Sequence, residues 1–243
     1  MTVALSVQTR RFLRRSADTV LSPVGSIRGG RTDSLLVALT YDDGPDPVGT
    51  PAVLEALASL GLKATFFQLA YRAERYPELV RAVLDEGHEI ALHGVDHTRL
   101  TSLPRGEVRG LLENGRERLS KVAGRDVRMF RPPYGAQSPA TYAATRRAGL
   151  MPVVWGPTVR DWVDGAASDV AARGLEGLHP GSIMLMHDGF EVPPGDTTPE
   201  PTFDRGDVTR ELVAELRARD YEPVSVSKLI TSAKPWRSAW FRN

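Results

Sequence analysis

The chain of 243 residues contains no cysteine, and this absence excludes disulfides and thiolate metal sites. Its charge is almost balanced, with 31 lysine and arginine residues against 30 aspartate and glutamate residues. A nucleic-acid-binding protein needs a clustered basic excess, so the composition does not favour that class of protein. Any metal site must be built from histidine and carboxylate side chains.

The sequence also lacks an apolar run that is long enough to cross a bilayer as a helix. The arginines near the N-terminus are followed by the polar, turn-rich stretch Leu21–Gly30, which is unlike the apolar core of a secretory signal peptide. We therefore expect residues 1–33 to form an N-terminal leader, partly flexible or packed on the surface, and the protein to be cytoplasmic. Contact of this basic segment with an anionic membrane surface is a weaker alternative.

Short apolar segments alternate with helical patterns from Leu35 onward, and repeated strand–helix units imply a parallel sheet. No glycine-rich phosphate loop follows the first strand, which argues against a dinucleotide-binding fold. Seven units favour a barrel, complete or incomplete, over an open doubly wound sheet, in a single α/β domain over residues 34–232. The predicted strands are Leu35–Thr40, Ala64–Gln68, Glu89–Leu92, Arg128–Arg131, Pro152–Trp155, Ser182–His187 and Glu222–Val226.

Two segments carry neither pattern. Residues 188–205 are rich in proline, glycine, aspartate and threonine and predict a long loop, which in a compact domain is usually functional or mobile. The C-terminal tail, residues 233–243, is aromatic and basic, and we expect it to pack against the domain.

Two adjacent carboxylates, Asp42 and Asp43, end the first predicted strand, and Gly44-Pro45 breaks the chain directly after them. Buried carboxylates need partners or give up their charge, and a bound cation would satisfy both. One carboxylate could then bind a metal while the other acts as a base. The non-catalytic alternative is that both residues cap the following turn.

His93 and His97 supply further candidate ligands, because a spacing of four residues places them on one face of a helical turn. Two imidazoles and one carboxylate leave a divalent metal with open positions, as in catalytic rather than structural zinc sites. Such a metal makes water nucleophilic near neutral pH. The same ligand set suits Fe(II), so a non-haem oxygenase is an alternative.

Polar residues cluster at the ends of the predicted strands, where barrel enzymes carry their chemistry. His187 is the candidate acid for the leaving group of an amide or ester, and Asp161 could hold its tautomer and raise its pKa. Arg131 could orient the base carboxylate. The non-catalytic alternatives are a phosphate or surface contact for Arg131 and a turn with a packed ring at Asp161-Trp162.

Five motifs follow one another along the chain. They are Tyr41-Asp42-Asp43-Gly44-Pro45, His93-x-x-x-His97, Arg131-Pro132-Pro133-Tyr134, Asp161-Trp162 and Leu185-Met186-His187. In this order they resemble the NodB-homology polysaccharide deacetylases, carbohydrate esterase family four, from about Leu35 to Ile230. The resemblance implies a distorted seven-stranded (β/α) barrel and a divalent metal, zinc first, with cobalt, nickel and manganese as alternatives.

The resemblance also implies a role for each catalytic side chain. Asp42 looks like the base, steadied by Arg131, and His187 looks like the acid, tuned by Asp161. The implied metal ligands are Asp43, His93 and His97.

Three more residues would contact the substrate. The backbone amide of Tyr134 would stabilise the oxyanion, and Trp162 and Leu185 would line the pocket for the acyl methyl group. The chain departs from the family pattern at Gly94, where the family usually has serine or threonine, and at Thr158, where it usually has aspartate. Both departures leave the implied chemistry intact, and Thr158 lies where the substrate would be chosen.

The resulting hypothesis is a metal-dependent hydrolase that removes the N-acetyl group from an N-acetylated sugar or polysaccharide. The first alternative is a deacylase of an intracellular small molecule, such as a nucleotide sugar, a lipid-linked sugar or an acylated natural product. An Fe(II) oxygenase is less expected, because the acid precedes the histidine pair and the additional aspartate and histidine would have no role there. A non-catalytic binding protein on an esterase scaffold is less expected, because every implied ligand and the base are present.

Overall fold

The computed structural model describes residues 25–192 and 195–242. The predictions on residues 1–24, including membrane-surface contact, lie outside these residues. Within the described part there are nine strands: β1 Ser26–Arg31, β2 Leu36–Asp42, β3 Thr65–Leu69, β4 Glu89–Gly94, β5 Met129–Phe130, β6 Met151–Pro152, β7 Ser182–His187, β8 Glu222–Val224 and β9 Lys234–Ser238. Its eight α-helices are α1 Gly49–Leu60, α2 Ala70–Arg75, α3 Pro77–Asp85, α4 Arg105–Ala123, α5 Pro139–Arg147, α6 Ala167–Arg173, α7 Arg205–Arg217 and α8 Val226–Ser232.

Seven strands, β2 to β8, run parallel, and β2 lies at their centre. It pairs with β7 on one side, and on the other with β8 along its first half and β3 along its second. β4, β5 and β6 continue outward from β3. The sheet curls until an isolated bridge joins Ile27 of β1 to Val153, just after β6. The predicted distorted barrel is confirmed.

Two strands extend the sheet beyond the predicted domain limits. β1 runs antiparallel between β7 and β9 and falls partly within Leu21–Gly30, so the prediction of a turn-rich stretch is wrong for Ser26–Gly30. The glycines of this strand interrupt any apolar pattern, so the sequence does not predict it. A Cβ on Gly29 would come within 2.5 Å of the Gly181 carbonyl oxygen, so the two backbones approach closely here. A close backbone contact, rather than apolar patterning, shapes this strand.

Some helix ends follow local sequence signals. Gly61 ends α1 in a left-handed conformation, and the Ser138 side chain caps α5. Thr50 lies in the first turn of α1, which begins at Gly49. Its hydroxyl donates a 2.6 Å hydrogen bond to the carboxylate of Asp188. No helix in the described ranges is both long and apolar enough to span a membrane.

The alternation of side chains along β2 places the acid pair. Leu39 and Tyr41 pack in the apolar core between sheet and helices, whereas Ala38 packs in a second core inside the barrel. Successive strand residues face opposite sides, so Thr40 and Asp42 share the inward face of Ala38. Asp42 therefore lies at the inner mouth of the barrel.

A buried histidine outside the barrel generates a prediction about acid stability. His88 is 2% exposed, and its Nδ1 accepts a hydrogen bond from the Ala64 amide. Burial, with a smaller effect of Lys63, lowers the pKa of His88 to about 4. In the unfolded chain this pKa is about 6.5, so protonation favours unfolding as the pH falls from about 6.5 to about 4.

Replacement of His88 by Asn removes this titration and keeps an acceptor for the Ala64 amide. Between about pH 7.5 and about pH 5, the Tm of His88→Asn is expected to fall less than that of the wild type. His179→Asn is the control and should keep the wild-type dependence. An equal fall in Tm for His88→Asn and the wild type would contradict the assignment.

Candidate active site

A cleft of about 600 Å³ opens where the parallel strands end. It brings together side chains from distant parts of the sequence, because the carboxyl ends of parallel strands share one edge. Nine of the ten predicted site residues line it: Asp42, Asp43, His93, His97, Tyr134, Asp161, Trp162, Leu185 and His187. The tenth, Arg131, is fully buried and bonded to Asp42.

The Asp42 carboxylate is held in one orientation by Arg131. The Nη1 of Arg131 donates to Asp42 Oδ1 at 2.6 Å and to the Thr40 hydroxyl at 2.8 Å. Its guanidinium lies over the Phe67 ring, 4.0 Å from the centroid. A charged, fixed partner compensates the burial of Asp42, and Oδ2 is left as the oxygen not engaged by Arg131.

Asp43 also reaches the cleft, although strand alternation would point it away from Asp42. Its backbone has a φ of 72°, a left-handed conformation that aspartate adopts more readily than most residues. The chain leaves the strand geometry at this residue, so two consecutive carboxylates line the same cavity.

Two imidazoles converge on Asp43. The Nε2 atoms of His93 and His97 lie 3.3 and 3.4 Å from Asp43 Oδ1. The Nδ1 of His93 lies 2.9 Å from the carbonyl oxygen of Arg131. With the proton on Nδ1, this nitrogen donates to the carbonyl, and Nε2 faces Asp43 with a free lone pair.

These residues fit a divalent cation. The Asp43 Oδ1 is buried without a hydrogen-bond partner among the described residues, and one ligand atom from each of the three side chains lies within 4.8 Å of the others. Burial lowers the pKa of His97 to about 4, more than the Asp43 charge raises it, so the imidazole is neutral as a metal ligand must be. Three ligands leave coordination positions open.

The other side of the cleft carries a histidine–aspartate pair. Asp161 Oδ1 lies 2.7 Å from His187 Nδ1, and Asp161 Oδ2 accepts a 2.7 Å bond from the His187 amide. Burial alone would lower the pKa of His187, but the charge and hydrogen bond of Asp161 raise it to about 9. His187 is therefore an imidazolium at neutral pH, with Nε2–H as the proton that Asp161 leaves available.

The turn after β5 closes the metal side of the cleft. The Tyr134 ring packs against His97, with ring centroids 4.2 Å apart, and the Arg99 guanidinium lies 4.4 Å from the Tyr134 centroid. Across the cleft, Trp162 lies edge-on to His187 and is 44% exposed, whereas Leu185 is buried. The Trp162 ring is thus open to a ligand on one face, and Leu185 forms part of the floor.

Of the two positions where the chain departs from the family pattern, Gly94 is explained by its backbone conformation. Gly94, directly after the first ligand histidine, has a φ of 135°, which other residues rarely adopt. A Cβ there would come within 2.6 Å of the Asp96 carbonyl oxygen. Thr158 lines the cleft and forms a bridge with Leu185.

Sequence reasoning missed two arginines. Arg205 donates to the His187 carbonyl at 3.0 Å and lies 3.5 Å from Asp161 Oδ2. It therefore helps to hold the His187–Asp161 pair in place. Arg72 donates to Glu191 and to the Phe190 carbonyl, which fastens the loop after β7 beside the cleft. The loop predicted to be functional, residues 188–205, includes the partners of Arg72. Nothing in the sequence indicates that Arg72 would bind residues more than 100 positions away.

The chain is similar to several known proteins. The sequence profile of a family described as polysaccharide deacetylase matches residues 29–153. A chitooligosaccharide deacetylase of Azorhizobium caulinodans is 38% identical over 154 residues, which cover 63% of this chain and 73% of the relative. A peptidoglycan-N-acetylglucosamine deacetylase of Bacillus cereus is 31% identical over 197 residues, 80% of this chain and 88% of the relative.

Among solved structures, a family 4 acetyl xylan esterase from Clostridium thermocellum, in complex with a cobalt ion, has a TM-score of 0.70. It is 32% identical, with 81% of this chain and 91% of that structure covered. The family profile includes Asp42, Asp43 and both histidines of the ligand set but ends before Asp161 and His187. The structural match extends the similarity across most of the chain.

The ligand set generates a prediction that needs no substrate. A metal that binds only the folded chain raises its stability, by about 2.7 kcal/mol at 100 times the Kd. Added Zn2+ is expected to raise the Tm of the wild type, and the double replacement His93→Ala with His97→Ala should abolish the shift and the bound zinc. His179→Ala, a histidine outside the cleft, is the matched control. Stoichiometric zinc in the double variant would contradict the site.

Proposed function

This chain belongs to the polysaccharide deacetylase family, and from that premise we propose that it removes the acetyl group from an N-acetylated sugar or polysaccharide as a metal-dependent amidohydrolase. One observation carries the proposal. The cleft joins a cation ligand set, a carboxylate held by Arg131 and an imidazolium held by Asp161. Amide hydrolysis needs these three functions: activation of water, acceptance of its proton and donation of a proton to the amine.

The residues Asp43, His93 and His97 would hold the metal. When bound, a divalent ion supplies a water of lowered pKa and polarises the substrate carbonyl. We propose Zn2+, because one carboxylate and two imidazoles with open positions suit zinc in hydrolytic sites. The esterase with a cobalt ion supports Co2+ as an alternative.

Asp42 is the proposed base. Arg131 occupies its Oδ1, so Oδ2, 3.9 Å from His93 Nε2, is the oxygen placed to accept the proton of the attacking water. Arg131 is buried and bonded also to Thr40, so this carboxylate has little freedom to turn. The geometry matches the need of a general base for a fixed lone pair beside the ligand set.

His187 is the proposed acid. An amine is a poor leaving group until its nitrogen is protonated, and the imidazolium carries that proton at neutral pH because the pKa of His187 is about 9. Asp161 holds Nδ1, so Nε2 delivers the proton. Asp42 accepts one proton of the water while the water oxygen bonds to the acyl carbon. The C–N bond then breaks as His187 protonates the nitrogen, which leaves the amine and acetic acid, and the acid loses its remaining proton to solvent as acetate.

Three residues would hold the acyl group. We assign the Tyr134 amide to the oxyanion, since preorganised donors there contribute a large share of catalysis in acyl transfer. Trp162 and Leu185 offer apolar surface beside His187 for the acetyl methyl. The substrates named for two relatives, chitooligosaccharide and peptidoglycan N-acetylglucosamine, support an N-acetylglucosamine polymer as the substrate class.

The proposed function is tested by acetate release from N-acetylglucosamine oligomers and peptidoglycan fragments with added zinc, using chelated enzyme as control. Chelator-sensitive release is expected. Zinc-loaded enzyme that releases no acetate from any N-acetylated sugar would contradict the proposal. Consumption of O2 with a keto acid would instead favour the oxygenase alternative.

Replacement of Asp42 by Asn is expected to lower kcat at least ~1,000-fold. The side-chain amide of asparagine cannot accept the proton of the attacking water, so the water is no longer activated by a base. Zinc content should stay at the wild-type level, since Asp42 is not a ligand in this assignment. Asp96→Asn, which changes an exposed carboxylate between the two ligand histidines, is the matched control and should stay active. An active Asp42→Asn enzyme would remove Asp42 from the base role.

The pKa of His187 also sets the alkaline limit of activity. The acid form is lost as the pH rises through about 9, so kcat should fall there. Asp161→Asn removes the charge that raises this pKa, and the alkaline limb is expected to move to lower pH. Asp164→Asn, an exposed neighbour on the same loop, is the control. An alkaline limb that stays in place in Asp161→Asn would contradict the acid assignment.

A further inference from the structure

The segment Ser238–Arg242, here called the C-terminal clasp, reaches from β9 to the cleft. It lies outside residues 29–153, which the family profile matches. Trp240 is 4% exposed, although it stands near the end of the described chain, and Arg242 lines the cleft. A buried tryptophan usually has a hydrogen-bond partner for its indole N–H.

The clasp contacts the turn that carries the proposed oxyanion amide. The indole Nε1 of Trp240 donates a 2.9 Å hydrogen bond to the Gly135 carbonyl, directly after Tyr134. Gln137 and Arg242 exchange two backbone hydrogen bonds of 2.8 and 2.9 Å. The Gln137 side chain also donates to the Trp240 carbonyl at 2.7 Å. Four hydrogen bonds thus join the clasp to Gly135 and Gln137.

This turn needs support, because its backbone is not in a relaxed conformation. Tyr134 and Gly135 have φ values of 59° and 63°, two consecutive left-handed residues. A non-glycine residue such as Tyr134 rarely adopts this conformation, which persists only where the surroundings hold it. Gly135 has no room to relax toward Trp155, whose ring would lie 2.5 Å from an added Cβ.

The two tryptophans enclose Gly135. The rings of Trp155 and Trp240 lie 5.1 Å apart, centroid to centroid, and Trp155 lines the cleft. Any shift of Gly135 would move Tyr134, whose ring packs against the ligand histidine His97. The hydrogen bond from the Trp240 N–H to the Gly135 carbonyl therefore helps to fix the position of the Tyr134 amide.

We propose that Trp240 is a positioning residue for the reaction, which acts through the Gly135 carbonyl to hold the Tyr134 amide where the oxyanion forms. This role rests on the proposed function, because it concerns the stabilisation of an acyl-transfer intermediate. Interactions made only in the transition state change kcat rather than KM. Loss of the Trp240 N–H should therefore act on kcat.

The test compares Trp240→Phe, which keeps an aromatic ring and removes the N–H, with Trp236→Phe. Trp236 lies on β9 and packs against His179 and Arg28. Arg28 also lies over the Trp240 ring, but Trp236→Phe leaves the Trp240 N–H in place. In Trp240→Phe, kcat for acetate release is expected to fall ~10-fold or more, with KM and zinc content within about twofold of the wild type. Trp236→Phe should keep the wild-type kcat.

A second measurement does not depend on substrate. Amide hydrogen exchange of the peptide covering residues 131–137 should be faster in Trp240→Phe than in the wild type and unchanged in Trp236→Phe. If the wild type releases no acetate from any sugar, the proposed function fails, whereas the exchange result still decides whether Trp240 holds the turn. Should Trp240→Phe not fold, Gln137→Met takes its place with the same expected signature. This variant removes the side-chain bonds to the Trp240 carbonyl and to Ser26, so Ser26→Ala, which removes only the latter, is its control and should keep the wild-type kcat.

Three results would overturn the proposal. They are a kcat within twofold of the wild type, unchanged exchange of the turn, or an equal loss of kcat in Trp236→Phe. The last result would mean that β9 supports the fold in general and that Trp240 has no specific part in catalysis.

Discussion

The buried ion pair between Arg131 and Asp42 is the interaction on which the site depends. Arg131 contributes through both its side chain and its backbone: its guanidinium orients Asp42, and its carbonyl accepts the Nδ1 proton of His93. The proposed base and a proposed metal ligand are thereby positioned by one residue, directly after β5. Removal of one partner from a buried ion pair leaves an uncompensated charge and typically lowers the free energy of unfolding by about 3–5 kcal/mol. We therefore expect replacement of either Arg131 or Asp42 alone by an uncharged residue to destabilise the fold.

Three residues where strands enter the site have left-handed backbone conformations. Asp43 follows β2, Gly94 ends β4, and Tyr134 follows β5, each with a positive φ. These three residues turn the chain abruptly, so ligand, base and amide groups face one cleft. Strain of this kind is retained where the surroundings determine the conformation, and the Trp240 contact with Gly135 is one such determinant.

The sequence was most informative where local patterning carries the structure. Apolar runs ending in polar residues predicted the parallel strands and placed Asp42, His93 and His187 at one edge of the sheet. β1 and β9 escaped prediction because glycine-rich and polar strands lack an apolar period, and their pairing depends on close backbone contact. The bonds of Trp240 to Gly135 and of Arg72 to Glu191 join residues more than 100 positions apart, and no pattern in a single sequence specifies them.

The central claim is that Asp43, His93 and His97 hold a divalent metal beside Asp42. The most direct test is anomalous diffraction at the zinc absorption edge from crystals of the zinc-loaded protein. One peak is expected about 2.0–2.2 Å from a carboxylate oxygen of Asp43 and from the Nε2 atoms of His93 and His97. A zinc-loaded crystal with no peak in the cleft, or with its peak bound by other residues, would contradict the claim.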